Sequence, residues 1–537
     1  MQLTRYTTIT AALLAIAGSA CAQPVIDSVN GASFSRSGRI AITGSGFGVR
    51  DGADRVEVGG IQALLTTWTN TRIVAYVPES TPIGAAELRV VAEGEQSNAV
   101  PIEVSLRQRD GRVKWTFETD GDDQWFRPAL APDGTIYLHV SKGFVYAISP
   151  DGALQWIANA VWFPSIPPTA GPDGTAYFGS LSTVTAVSGS GETLWTYTDN
   201  SSSGLVHAVT AGPDGKLYGA YDTPVGAVSL SADGQHDWSN PGDPVMLERG
   251  LGGHETKFGP AQVGGPIDQV YIGMDNWGDN HIYAFDLDGH QRWAVAAGPN
   301  ARGAEPAIGS DGVLYTPDFV QAGSGWVLRA LHPSDGRTLW VYDGGFISEC
   351  TDMEIGADDT LYYARDVAHL EAFAPHTQTL LWHTFIPNTW MEQPAITPDG
   401  GTLVVAGTLD GGPGFVSAYA PSNGEIRWSV ALPGGYYPDE RLVPADQARV
   451  TPDSSTAYVS TTALSRLPGD PRAVLYAIDL TDGCAADFNG DTVVNTLDVL
   501  AFLNAYSAGD PRADFNGDTV VNTLDVLAFL NAYAGGC

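Results

Sequence analysis

PALAPDGTIYLHV (128–140), FVYAISPDG (144–152) and ALQW (153–156) follow one another along this chain. Short apolar runs rich in β-branched and aromatic residues are separated by Asp-Gly pairs, the strongest short-range hairpin signal. The stretch therefore predicts four short antiparallel strands ending at Trp156. Outward from it, tryptophan recurs in the same context at 115, 156, 195, 238, 293, 340, 382 and 428, with spacings of 41, 39, 43, 55, 47, 42 and 46 residues. That period is the signature of propeller blades. Versions of the unit begin near Pro128, Pro167, Ala208, Pro260, Pro306, Glu354, Pro394 and Ala448. The last one, ending at YAIDLTDG (476–483), has no tryptophan strand, while a lone one, GRVKWTFET (111–119), precedes the first complete unit. The arithmetic predicts an eight-bladed β-propeller over 111–482, with the N-terminal strand completing the last blade. Such closure removes two sheet edges that would otherwise template aggregation.

The recurring order of Ala-Ile or Ala-Leu, then Gly, then Trp, as in YAISPDGALQW (146–156), resembles the PQQ-like repeat family of eight-bladed propellers. The resemblance implies either a quinoprotein dehydrogenase or a non-enzymatic scaffold. Members that use the quinone usually carry a vicinal cysteine pair beside it. This chain has none, nor a Cys-x-x-Cys-His haem site, a His-Glu-x-x-His motif, a G-x-S-x-G elbow or a Walker loop. The segments entering each blade should line the top face, and they carry Phe126–Arg127, His207, Lys257, Glu305, Glu354, Trp390, Glu392 and Arg449. A funnel of this composition suits a glycan or peptide ligand. Glu305, Glu354 and Glu392 offer an acid and base for glycoside hydrolysis only if two of them face each other at the right separation. Ordinary loop residues satisfying strand ends account for the same pattern, so no catalytic residue is assigned.

Before the propeller, RIAITGSGFG (39–48), RVEVGG (55–60), TRIVAYVP (71–78), AELRVVAEG (86–94) and SNAVPIEV (97–104) alternate with period two between Gly and Pro signals. That pattern reads as a small β-sandwich over 23–105. The GSGFG segment, the VGG turn, the VP corner and the SN before the closing strand resemble the IPT/TIG family of immunoglobulin-like domains, which implies a spacer or binding module.

ADFNGDTVVNTLDVLAFLNAY occurs twice, at 486–506 and 513–533, identical at every position. Each copy opens with oxygen-bearing residues at loop positions 1, 3, 5, 9 and 12, and position 7 offers a backbone carbonyl. The first set is Asp487, Asn489, Asp491, Asn495 and Asp498 with the carbonyl of Val493; the second is Asp514, Asn516, Asp518, Asn522 and Asp525 with that of Val520. Six oxygens including three carboxylates suit Ca²⁺, one ion per loop, and the repulsion between those carboxylates should couple the ion to folding. Leu497, Val499–Leu500 and Phe502–Leu503 then recur at helical spacing, predicting an amphipathic helix in each copy. Asp at position 12 and the lack of an entering helix depart from the EF-hand consensus. Both features resemble the type I dockerin family across 484–537, a small all-α module. The resemblance implies a cohesin-like protein partner, with contacts at Thr496–Leu497 and Thr523–Leu524. Because pseudo-two-fold packing brings the module's ends together, Cys484 and Cys537 are expected to form a disulfide. Cys350 reads as a small buried hydrophobe.

Arg5, an apolar run from Ile9 to Ala17 and Ala20-Cys21-Ala22 make residues 1–22 a signal peptide. The expected setting is therefore extracellular, with attachment to a cell surface through a partner. No later stretch is apolar enough to span a bilayer. Among 537 residues, 61 are acidic and 27 basic, a formal charge of −34, which disfavours nucleic acid as a partner. The sequence thus favours a non-catalytic binding scaffold in a polysaccharide-degrading assembly. A dockerin-tethered glycoside hydrolase and a PQQ-dependent oxidoreductase are the alternatives.

Overall fold

The computed structural model describes residues 23–537 apart from 108–109, 122–127, 160–167, 181–182, 199–205, 213, 223–224, 242–256, 261–266, 275–279, 298–305, 321–324, 347–350, 352, 367, 410–412, 433–441, 445–446, 464–472, 482–485, 487, 490–493, 511–512, 514, 516–519 and 536–537. Residues 1–22, Cys350, Cys484 and Cys537 lie outside the described residues. The chain forms two compact units. One takes residues up to Phe34 and Ile40–Val104; the other takes Ser35–Arg39 and everything from Ser105.

The first unit is a sandwich. One sheet runs Val25–Val29, Arg39–Ser45, Arg72–Tyr76, Leu64–Trp68; the other runs Ser33–Ser35, Val100–Ser105, Gly84–Ala92, Arg55–Val58, Ile61–Gln62. Period-two patterning supplies its core: Ile40 and Ile42, Val56 and Val58, and Leu88 and Val90 are completely buried together with Phe47 and Ile73.

In the second unit the repeats become eight consecutive antiparallel sheets among the described residues. The first comprises Ala129–Leu130, Ile136–His139, Phe144–Ile148 and Leu154–Asn159 in simple meander order, as the opening stretch of sequence predicts. The first strands of neighbouring sheets touch one another around much of the series. Closure is visible at the chain ends. Val113–Glu118 pairs with Val474–Asp479, placing Trp115 opposite Ala477 and Phe117 opposite Leu475. The Phe117 ring then meets Tyr146 of the first sheet edge-on at 5.6 Å, so the last sheet packs on the first. The second unit is a β-propeller.

The recurring tryptophan and glycine turn out to be the two halves of one lock. Five of these tryptophans project from the outermost strand of one sheet into the hairpin of the next. Nε1 of Trp115 donates to the carbonyl of Pro150 at 2.9 Å, Trp156 to Gly189 at 2.8 Å, Trp195 to Ala232 at 2.9 Å, Trp293 to Pro333 at 2.7 Å and Trp382 to Pro421 at 2.6 Å. The glycine two or three residues later lies against the indole face: a Cβ on Gly152 would come within 2.7 Å of Trp115, and one on Gly191 within 2.8 Å of Trp156. Both glycines have positive φ, so the turn and the packing demand the same residue. A tyrosine on the second strand backs the indole, as Tyr137 does for Trp156 at 5.7 Å. Burial pushes the Tyr137 hydroxyl up to about 12, so it stays protonated and donates to Gly174 O of the second sheet at 2.9 Å.

The seam departs from this pattern. The tryptophan facing it, Trp428, has no hydrogen-bond partner for Nε1 among the described residues. The guanidinium of Arg112 sits 4.5 Å above its ring instead and donates to the carbonyl of Thr481 at 2.8 Å. Arg112 thereby ties the N-terminal strand to the last turn by a hydrogen bond and to the seventh sheet by a cation–π contact.

Candidate functional site

Two regions bear on function: the segments entering the innermost strands, and the C-terminal pair of helices. In the first, the polar side chains bond to their neighbours. Buried Gln393 donates from Nε2 to Met353 O at 3.4 Å, and buried Gln447 donates to Pro394 O at 2.6 Å. Arg449 donates from Nε to Pro128 O at 3.4 Å. In each case the acceptor immediately precedes a two-residue inner strand of the adjoining sheet, and the Arg449 bond crosses from the last sheet to the first. Gln447 also reaches Glu354, two sheets away, at 3.2 Å.

Of the top-face candidates, Glu354 and Arg449 therefore belong to hydrogen bonds that tie the inner strands together. Trp390 is well exposed on Thr389–Met391, and the neighbouring Glu392 donates its backbone N–H to Ala406 O at 3.0 Å. His207 and Lys257 stand on described strands, while Phe126, Arg127 and Glu305 lie outside the described residues. Glu354 and Arg449 thus show sheet-to-sheet bonding, which sequence reading could not separate from ligand binding.

In the second region, each copy of the duplicated segment ends in a helix, α1 at Thr496–Ala508 and α2 at Thr523–Gly535. The start of α1 follows from its sequence. Asn495 is the N-cap, its Oδ1 accepting Leu497 N at 2.7 Å, and Asp498 at N3 reaches back to Asn495 N at 2.8 Å, a capping box. Asp498 also accepts Asn489 N at 3.0 Å, linking loop positions 3 and 12. The second copy repeats the arrangement: Asn522 Oδ1 accepts Leu524 N, and Asp525 accepts Asn522 N, both at 2.7 Å. Asp498 and Asp525 are completely buried.

An ionised carboxylate with no exposure needs a counter-charge. The thirteen residues ADFNGDTVVNTLD contain no Lys, Arg or His, and their donors are all oxygens. The described part of each loop therefore fits a hard cation. Asn495 and Asn522 each use Oδ1 as a helix cap. The Val520 carbonyl already accepts from Asn522 Nδ2 at 2.9 Å. Asp487, Asp491, Val493, Asp514, Asn516 and Asp518 lie outside the described residues.

The helices differ from expectation in one respect: they are not simply amphipathic. Phe502 and Phe529 stack face to face at 4.2 Å, with Phe488 and Phe515 edge-on around them, and this small cluster is the core. The leucines point the other way. Leu497, Leu500 and Leu503 are 57, 56 and 44 % exposed, and Leu524, Leu527 and Leu530 repeat those values. Leucines at i, i+3 and i+6 form one stripe on a helix, so the module presents two matching apolar stripes to solvent.

Residues 24–105 match the family model described as IPT/TIG domain, and residues 180–354 match the one described as outer membrane protein assembly factor BamB. No curated protein matches this chain. Among solved structures, the Dos1 propeller is 12 % identical over 67 % of this chain and 93 % of that one, with a TM-score of 0.52. The C-terminal WD40 domain of Sif2 is 12 % identical over 68 % and 99 %, with a TM-score of 0.50. BamB from Moraxella catarrhalis is 16 % identical over 67 % and 98 %, at 0.48. Identities this low bear on fold alone. The first two structures agree with the ring described above, and the residues matching IPT/TIG are those of the sandwich.

Proposed function

We propose that this chain is a secreted, non-catalytic binding scaffold: an IPT/TIG spacer, an eight-bladed ring as recognition platform, and a calcium-dependent docking module at the C-terminus. Residues 1–22 serve export, and a Cys484–Cys537 disulfide closes the module. The observation that carries the reading is the pair of identical copies, each with a fully buried carboxylate behind its helix start and a matching exposed leucine stripe. Burying a carboxylate in a loop without basic residues makes sense if a divalent cation supplies the opposite charge. Asp487, Asn489, Asp491, Asn495, Asp498 and the Val493 carbonyl would hold one Ca²⁺; Asp514, Asn516, Asp518, Asn522, Asp525 and the Val520 carbonyl would hold the other. Six exposed leucines are costly to leave in water and mark a surface that a partner covers.

Thr496–Leu497 and Thr523–Leu524 head the two stripes, and the partner is a cohesin-like domain. Because the stripes match, a partner seated on one finds the same surface after a half-turn of the module. The setting this suits is an extracellular polysaccharide-degrading assembly. Calorimetry on the full chain, stripped of metal and titrated with Ca²⁺, should find two ions bound in the module. A type I cohesin domain as probe should then bind only with calcium present. Leu497→Asp or Leu524→Asp alone should weaken it slightly, and the double substitution should abolish binding. Fewer than two ions, or a double variant that binds as the wild type does, would overturn the reading.

A further inference from the structure

We propose that His369 and His383, on the outer strands of the sixth sheet, form a binding site for a borderline divalent metal ion of the Zn²⁺ or Cu²⁺ class. His369 opens the third strand, His369–Ala374, and His383 lies on the outermost strand, Thr379–Phe385. The register sets Glu371 opposite His383 and His369 opposite Phe385, so the two histidines are diagonal neighbours on one face of the sheet. Nδ1 of His369 lies 2.7 Å from Nε2 of His383. The rings are 18° apart in plane with centroids 5.0 Å apart, which aims one nitrogen of each ring at the other.

A metal ion bonds imidazole nitrogen at about 2.0–2.1 Å, so two nitrogens sharing one ion in tetrahedral or octahedral geometry lie roughly 2.9–3.4 Å apart. The observed separation is a few tenths of an ångström short of that, at a sheet edge where His383 is exposed and free to move. His369 is held more firmly, half-buried with its ring 4.7 Å from that of Phe385. Without an ion, one ring's N–H donates to the other's lone pair. On binding, that proton moves to the far nitrogen of its own ring as the alternative tautomer, both rings stay neutral, and no electron changes hands.

The nearest fixed charge is itself paired. Arg365 is clamped by Glu371 at 2.8 Å and Asp366 at 2.9 Å, so two carboxylates stand against one guanidinium. Imidazole pairs select Zn²⁺, Cu²⁺ or Ni²⁺ over Ca²⁺, which separates this site chemically from the oxygen-only loops at the C-terminus. With two protein ligands, the remaining positions fall to water or to a group on a partner.

The test is zinc titration of the full chain with Ca²⁺ in excess, followed by calorimetry and by melting temperature. We expect a saturable equivalent of zinc that raises the melting temperature. His383→Gln should weaken its binding by about tenfold or more, as should His369→Gln. His332→Gln, in the fifth sheet, should leave it unchanged. Cu²⁺ bound in place of Zn²⁺ should show electron paramagnetic resonance splitting from two nitrogens, lost in either variant. Because His383 is exposed, its variant should melt as the wild type does without zinc, so a loss of binding cannot be confused with a loss of fold. Equal zinc binding by the wild type and the double variant, or a copper spectrum without coordinated nitrogen, would overturn the proposal.

Discussion

The ring and the C-terminal module are both built by repetition, but their copies are secured by different means. In the ring the repeats have diverged in length and sequence. What persists is one apolar lock, a tryptophan seated on the next hairpin's glycine and bonded to that hairpin's carbonyl. A tryptophan removes on the order of 150–250 Å² from water, so each lock contributes a few kcal/mol at about 25 cal/mol per Å². In the module the copies are identical, and the shared core is little more than Phe502 stacked on Phe529 with four rings around them. At the centre of each copy is a buried carboxylate. A core that small ordinarily needs a metal or a disulfide to hold it. The contrast teaches that a repeat with enough apolar area can drift, whereas one built around a buried carboxylate has kept its sequence unchanged.

Chelation should sharpen that contrast most. Removing Ca²⁺ from the full chain should abolish the helical circular dichroism of α1 and α2, a loss of roughly 4 kcal/mol or more where calcium exceeded its dissociation constant a thousandfold. The near-ultraviolet signal of the ring's tryptophans should survive, and Asp498→Ala should act in the same direction on one copy. A ring that melts together with the helices would break the comparison. Within the ring, a paired substitution isolates the lock. Gly191 and Gly174 sit in the second sheet with φ of 90° and 83°, so alanine at either strains the backbone by about 1 kcal/mol. Only at 191 would the new methyl collide with an indole; a Cβ at 174 meets nothing within 4 Å. Urea denaturation should therefore find Gly191→Ala less stable than Gly174→Ala by a further 1–3 kcal/mol or so, and equal losses would mean that the indole does not depend on the bare turn.

Acid should reveal a smaller difference. The Thr397 hydroxyl and Gly401 N–H hold the Asp399 carboxyl below the usual range, and the Thr451 hydroxyl does the same for Asp453. A carboxyl whose folded value is depressed stabilises the fold above its unfolded value, and that contribution is lost as pH falls through the folded one. The ring's melting temperature should thus decline below about pH 4, and Asp399→Asn with Asp453→Asn should flatten the decline. An unchanged acid limb would show that these turns do not contribute.

Much of this was legible in the sequence. Trp115 standing ahead of a unit-long series that lacks its last tryptophan strand pointed to pairing between the chain ends, and strand Val113–Glu118 does pair there. The Asp-Gly turns likewise predicted the hairpins. What the sequence concealed was direction. Glu354 and Arg449 look like any polar residues before a strand; that they bond across sheets depends on how far each sheet is rotated from the next, which no local pattern encodes. The leucine stripes were missed for a related reason. Apolar residues at helical spacing predict an amphipathic helix without saying which of them face the core, and Leu497 and Phe502 lie on opposite sides of α1. The capping role of Asp498 was written at its position, three residues after Asn495, and was overlooked because the same residue also suits a cation.

The seam at Val113–Glu118 also sets a clock. Thr119 Oγ1 donates to the carbonyl of Ala473, 354 residues later. At roughly 5–20 residues per second, a ribosome needs about 20 to 70 s to bring the second of these into existence after the first. For that interval the earliest strand of the ring has no strand to pair with, although Trp115 can already reach the hairpin of the first sheet. Every other sheet can assemble as its own residues emerge. The last to close is therefore the one that contains the oldest strand, and a cell making this protein has to keep that strand from finding another mate.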